Sequence, residues 1–361
     1  MKTRRHRSVA LAAVASLALL AAACGSDDDS GGGDTTAGTD APAATEAPAA
    51  TEAANDDSGG GDAGGTFRVG IVAPSASNDL AFTQSIVDSV NRVAETRDLE
   101  ILITDGTFVV EDAAAAIRGY AEDGMDLVIA HGSQYGAPLQ EIAPDFPDTA
   151  FAWGTAVDTF GLPNVSAYTV RADEGGYVNG VMAAQLTASN VLGVVGPIEV
   201  GDAKLYVDGF VSGVAAQNAD ATVNVNYIDS FSDVLLASEA AKSHISNGAD
   251  VLTGTAQMVV GATGEANTAG IPWFGTQSNQ TDLGPEIVVA SQVYHWEIAL
   301  DELIDGIEGG TLGGEVYTLT LENGGLVMEF NDGFALDADV RASADATIAG
   351  LTDGSITTGV E

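Results

Sequence analysis

The chain is short of positive charge. Its 361 residues include 12 Lys and Arg against 52 Asp and Glu, a formal net charge of −40. Binding to DNA or RNA draws on clustered Lys and Arg that release condensed counterions, and no basic stripe of that kind is present. Nucleic acid is therefore excluded as a partner. Cysteine is nearly absent as well: the single Cys24 leaves no intrachain disulfide and no thiolate metal cluster. The four histidines (His6, His131, His244 and His295) are scattered without metal-ligand spacing, so neither a metal nor any other cofactor is expected. There is no Gly-x-Ser-x-Gly elbow, since Gly132-Ser133 runs on into Gln134-Tyr135. Gly193-Val194-Val195-Gly196-Pro197 lacks the third glycine of a dinucleotide fingerprint, and Pro197 has no N–H to offer a phosphate. No catalytic set emerges, and the chain reads as a non-enzyme.

What is present divides by charge. Residues 1–23 hold four bases (Lys2, Arg4, Arg5 and Arg7) and no acid, and residues 25–65 hold ten acids and no base. Lys2 to Arg7 followed by apolar Val9 to Ala23 has the form of an export signal, and the apolar run is short of the ~20 residues a permanent membrane span needs. Leu20-Ala21-Ala22-Ala23-Cys24 resembles the lipobox of bacterial lipoproteins, with Ala21 where the usual box has Leu. Cys24 is accordingly the expected lipidation site; the alternative is an incidental cysteine in a cleaved leader. From there to about Gly65 the sequence is Gly, Ser, Asp, Thr, Ala, Pro and Glu with one Asn and without an aromatic residue. It cannot bury enough apolar surface to offset its ordering entropy, and a disordered acidic tether over residues 24–65 is expected.

The body from Thr66 onward is long enough for two medium domains. Fully apolar runs alternate with amphipathic stretches. Phe67 to Ala73, Leu99 to Thr104, Asp126 to Ala130, Ala150 to Trp153, Val191 to Val195, Thr222 to Ile228, Val251 to Thr255, Pro272 to Phe274 and Ile287 to Ser291 read as strands. Helical spacing recurs between them, as in Ile86, Val87, Val90 and Val93. Strands buried on both faces and separated by helices imply an α/β fold with two doubly wound parallel sheets. In such sheets ligands sit beyond the carboxyl ends of the strands. The loops there carry amides, hydroxyls and rings: Asn78, Asp79 and Phe82; Ser133, Gln134 and Tyr135; Phe231; Thr255 and Gln257; Gln277 and Asn279.

Several of these segments, taken in order, resemble the basic membrane protein family of bacterial substrate-binding lipoproteins, which serve ABC importers, often for purine nucleosides. The segments are Asn78-Asp79 with Phe82-Thr83-Gln84, Arg171 to Tyr177 leading into Gly180, Gly193 to Gly196, Gly209-Phe210 with Gly213, and Ser230-Phe231-Ser232-Asp233. The resemblance implies the type I periplasmic binding protein fold, two lobes joined by three hinge crossings, here expected near Tyr168, Gly275 and Glu315. Lobe 1 would then comprise residues 66–168 plus about 275–312, and lobe 2 residues 169–274 plus about 313–361. It further implies a monomeric protein, lipid-anchored on the extracytoplasmic face of the cell membrane, that delivers a small-molecule ligand to a membrane permease.

The family's aromatic sandwich would fall on Phe82 and Phe231, with Asn78 and Asp79 reading a polar ring edge. Where nucleoside-binding relatives have Gly-Val-Asp-Ser-Asp for the ribose, this chain has Gly275-Thr276-Gln277-Ser278-Asn279, and Tyr294-His295-Trp296 replaces a frequent lysine region. Similarity to nucleobase-binding members in Trp273-Phe274-Gly275 and Val293 to Trp296 implies a free base, met by Thr255, Gln257, Gln277 and Asn279, with ring faces from Tyr135, Trp153, Tyr294 or Trp296. Core packing is the competing role for Phe82, Trp153 and Trp296. A membrane-anchored sensor of the same fold, or an importer component for a sugar or other polar solute, is the alternative function.

Overall fold

A computed structural model describes residues 65–360. The leader, Cys24 and the tether lie outside the described residues. Lobe 1 begins with β1 (Phe67–Val72), α1 (Phe82–Ala94), β2 (Leu99–Thr104), α2 (Val110–Glu122), β3 (Leu127–Ala130), α3 (Gly136–Ile142), β4 (Ala150–Gly154) and β5 (Val165–Val170). Lobe 2 follows with α4 (Ala172–Leu186), β6 (Val191–Gly196), α5 (Gly201–Gln217), β7 (Thr222–Tyr227), α6 (Val234–Ser246), β8 (Val251–Gly254), α7 (Val259–Ala269), β9 (Trp273–Gln277) and β10 (Val288–Tyr294). The chain then returns with α8 (Glu297–Glu308) and β11 (Val316–Leu319), and crosses again to β12 (Leu326–Phe330) and α9 (Ala338–Thr352).

The first sheet has the order β11-β5-β4-β3-β1-β2 and the second β12-β10-β9-β8-β6-β7. All pairs are parallel except β10 with β12. In each sheet the strand order reverses beside the first strand, at β1/β3 and at β6/β8, which is where a doubly wound sheet opens a crevice. The apolar runs follow from this burial: all four residues of β3 are buried because helices cover both faces. In α1 the residues Ile86, Val90 and Val93 are at most 1 % exposed and form the stripe laid on the first sheet.

Strand membership corrects the expected lobe boundaries. β9 pairs with β8 and β10 with β9, so residues 275–294 belong to lobe 2, and β11 pairs with β5 and so belongs to lobe 1. The crossings fall at Arg171, at His295–Trp296 and between Leu319 and Leu326. The crossing that the resemblance puts near Gly275 thus lies some twenty residues later, after β10; a buried strand looks alike whichever sheet receives it, so the apolar pattern does not reveal the difference.

Candidate ligand-binding site

A cleft lies between the carboxyl ends of the two sheets, where ligands of doubly wound folds gather. Lobe 1 contributes Pro74 and Phe82 after β1, Phe108 after β2, Ser133 and Gln134 after β3, and Thr155 after β4. Lobe 2 contributes Asp202 after β6, Phe231 after β7, Ala256 and Gln257 after β8, and Gln277 at the end of β9. Across the cleft the Ser278 hydroxyl donates to the Ala81 carbonyl at 2.7 Å, so the loops bearing Gln277 and Phe82 meet directly. Thr155, Ala256 and Gln277 are non-glycine residues with positive φ (56°, 75° and 74°), a conformation that costs backbone energy and concentrates at functional sites.

Each aromatic wall has its own support. Phe82 is 7 % exposed and stacks on the His131 ring, with centroids 4.0 Å apart and planes at 15°. The His131 Nε2–H donates to the Phe82 carbonyl at 3.2 Å, and Nδ1 accepts from the Tyr168 hydroxyl at 2.7 Å; the carbonyl can only accept, which sets the tautomer. One face of Phe82 is thus occupied and the cleft is left to the other. On lobe 2 the Phe231 carbonyl accepts from the Met258 N–H, and the Ser230 hydroxyl accepts from the N–H groups of Ser232 and Asp233. Asp233 caps α6 by accepting from Leu236 N–H at 2.9 Å.

Of the residues expected from the sequence, Phe82, Ser133, Gln134, Phe231, Gln257 and Gln277 line the cleft. The others are placed differently. Asp79 is taken up by its own loop: its carboxylate accepts from the N–H groups of Ala81, Thr83 and Gln84 and from the Ser75 hydroxyl. It positions Phe82 instead of reading a ring edge. Asn78 is exposed beside it. Tyr135 is fully buried, donating to the Thr107 carbonyl. Trp153 stacks on Phe160 and donates to the Gly132 carbonyl. Thr255 is buried, and Asn279 points outward to Glu329. Trp296 is buried, donating to the Ser85 hydroxyl, and meets His131 edge-on, so its role is the core. Tyr294, also buried, donates to Asp202 at 3.3 Å from behind the cleft.

Phe108, Thr155 and Asp202 were not expected. All three follow carboxyl ends of strands, the signal that leads to the other loops. Asp202 is half-buried in the first turn of α5; burial raises its pKa, against the hydrogen bonds from Tyr294 and Gln277 and the helix-start amides. Among the described residues the buried Gln277 Oε1 has no partner.

Burial drives the His131 pKa down to about 3, against its hydrogen bond to the Phe82 carbonyl. The ring is neutral when folded, and both nitrogens are engaged, which removes it as a base for Ser133. In the unfolded chain the same group titrates near 6.5. The folded pKa is the lower one, so its contribution is intact above pH 6.5 and declines as pH falls toward 3. Between pH 6 and pH 5 the wild type should lose about 1 kcal/mol more stability than His131→Phe, measured by urea unfolding. Parallel pH profiles would refute the assignment.

The fold and cleft define a small-molecule binding protein of two α/β lobes. Residues 66–346 match the family of PnrA-like ABC transporter substrate-binding proteins, Bmp, and the chain belongs to that family. It is 26 % identical to the transcriptional activator protein med of Bacillus subtilis over 69 % of this chain and 78 % of that one. It is 28 % identical to a purine-binding protein of Brucella abortus, over 63 % of this chain and 65 % of that protein. A solute-binding protein of an ABC transporter system from Conexibacter woesei superposes with a TM-score of 0.68 at 25 % identity, covering 81 % of this chain and 98 % of that one. Among the described residues no helix is long and apolar enough to cross a membrane.

Proposed function

We propose that the protein is the lipid-anchored, extracytoplasmic binding component of an ABC importer, and that its ligand is a purine nucleobase or nucleoside. The observation that carries this reading is the cleft itself, walled by Phe82 from one lobe and Phe231 from the other, with Gln134, Gln257 and Gln277 around it. A flat heteroaromatic ring gains about 1–3 kcal/mol per aromatic stack. Amides supply neutral donors and acceptors for its edge. The purine-binding relative supports the same reading. Gln277, standing where nucleoside-binding relatives carry a carboxylate for the ribose, favours a free base over a nucleoside.

Binding requires no bond to be made or broken. A ligand seated on Phe82 draws lobe 2 inward about the three crossings, and the closed form is the one the permease accepts. A ligand that binds only the native state raises the melting temperature, by an amount that grows with concentration over Kd. In a thermal-shift screen of nucleobases, nucleosides, sugars and amino acids, purines should give the largest increase. A sugar that stabilises the protein while every purine leaves it unchanged would overturn the aromatic sandwich.

A further inference from the structure

The purine reading leaves open which substituents the cleft selects, and two acceptors in it bear on that choice. One is the Asp202 carboxylate, held on the first turn of α5 with the Tyr294 hydroxyl donating to it from behind at 3.3 Å. The other is Gln277 Oε1, on a residue 2 % exposed, which no group among the described residues satisfies. Both residues line the cleft on the lobe 2 side. A buried carbonyl left without a donor costs about 1–3 kcal/mol, a penalty that a ligand N–H removes. No Lys or Arg lines the cleft to neutralise Asp202. Complementarity has to come from the ligand, in the form of at least two N–H donors.

Resting on the purine assignment above, we propose that Asp202 and Gln277 together receive the exocyclic amino group of an aminopurine, one N–H to each, and so select amino-substituted bases over their oxo analogues. An amino group carries two N–H donors on one nitrogen, the number two flanking acceptors require. An oxo group at the same place turns lone pairs toward a carboxylate and a carbonyl. It forfeits both hydrogen bonds and leaves both acceptors desolvated. Sites built around a substrate N–H reject analogues lacking it far more strongly than apolar pockets reject a missing methyl.

The test is isothermal titration of the full chain with adenine, guanine and hypoxanthine, followed by the same titrations on Asp202→Asn. The wild type should bind adenine or guanine at least about 100-fold more tightly than hypoxanthine, which lacks an amino group. The Asn amide can turn its NH2 toward an oxo group, so in Asp202→Asn the ratio should shrink by about tenfold or more, aminopurine affinity falling as hypoxanthine affinity holds or rises. Equal wild-type affinities for the three bases would overturn the selection by Asp202 and Gln277 while leaving the purine site standing. A variant that weakens all three alike assigns Asp202 a structural role and overturns the proposal in the same way. Failure of the wild type to bind any of them overturns the purine assignment and this inference with it. The wild-type comparison needs no variant to fold.

Discussion

Replacing Gly213 by Val should destabilise the protein by on the order of 3 kcal/mol or more, near the upper end of the usual cost of overpacking. Helices α4 and α5 lie against each other through glycines on both sides. A Cβ on Gly176 or Gly180 would run into the backbone carbonyls of Tyr206 or Phe210 on α5, and a Cβ on Gly209 or Gly213 into those of Asp173 or Tyr177 on α4. In each case the obstacle is main chain, which cannot rotate away as a side chain can. The two helices would have to part, and with them the buried Tyr206, Phe210, Val178 and Met182. Gly119 in α2 is the control: a Cβ there meets nothing within 4 Å, and Gly119→Ala should stabilise by about 0.4–1 kcal/mol through the unfolded chain. Urea unfolding of the two variants should move the midpoint in opposite directions. Equal effects would show that the close helix approach does not limit what these positions tolerate.

These glycines were legible in the sequence only as spacing; their reason, a helix pair too close for side chains, needs both helices in place. The alternation of strand and helix was legible because parallel strands buried on both faces are largely apolar, as β3 is throughout and β9 is at Trp273 and Phe274. The short edge strands β11 and β12 were not, since their exposed and half-buried residues break that pattern. The rule that ligands gather beyond carboxyl strand ends led to the loops holding Phe82, Gln134, Phe231, Gln257 and Gln277. It could not say which neighbour in a loop turns to the cleft: Gln134 lines it and Tyr135 is buried. Asp79 looks like a ligand carboxylate until its N–H donors are counted. Asp202 is hidden by the opposite bias, because an acid in the first turn of a helix is ordinary dipole compensation.

Phe231→Ala should weaken ligand binding by about 10–100-fold, the loss of one aromatic stack, and leave the melting temperature of the ligand-free protein nearly unchanged. Its ring is half-exposed, and its loop is held by contacts that do not involve the ring: the Ser230 hydroxyl, the Asp233 cap and the backbone bond to Met258. Phe82→Ala should cost both affinity and stability, because that ring also covers His131 in the core. The two walls therefore differ in kind. Phe82 is fixed by the buried column of His131 and Tyr168 behind it, whereas Phe231 rides on lobe 2 and, in the proposed closure, would cover the ligand only as the lobes meet. Removing the second wall should then act on departure of the ligand, raising koff by most of the affinity loss with kon nearly constant, as is usual for contacts made after encounter. Stopped-flow binding with the best ligand from the thermal-shift screen separates the two rates. If Phe231→Ala lowers kon by as much as it lowers affinity, the ring guides entry, and the order of events runs from Phe231 to Phe82 instead.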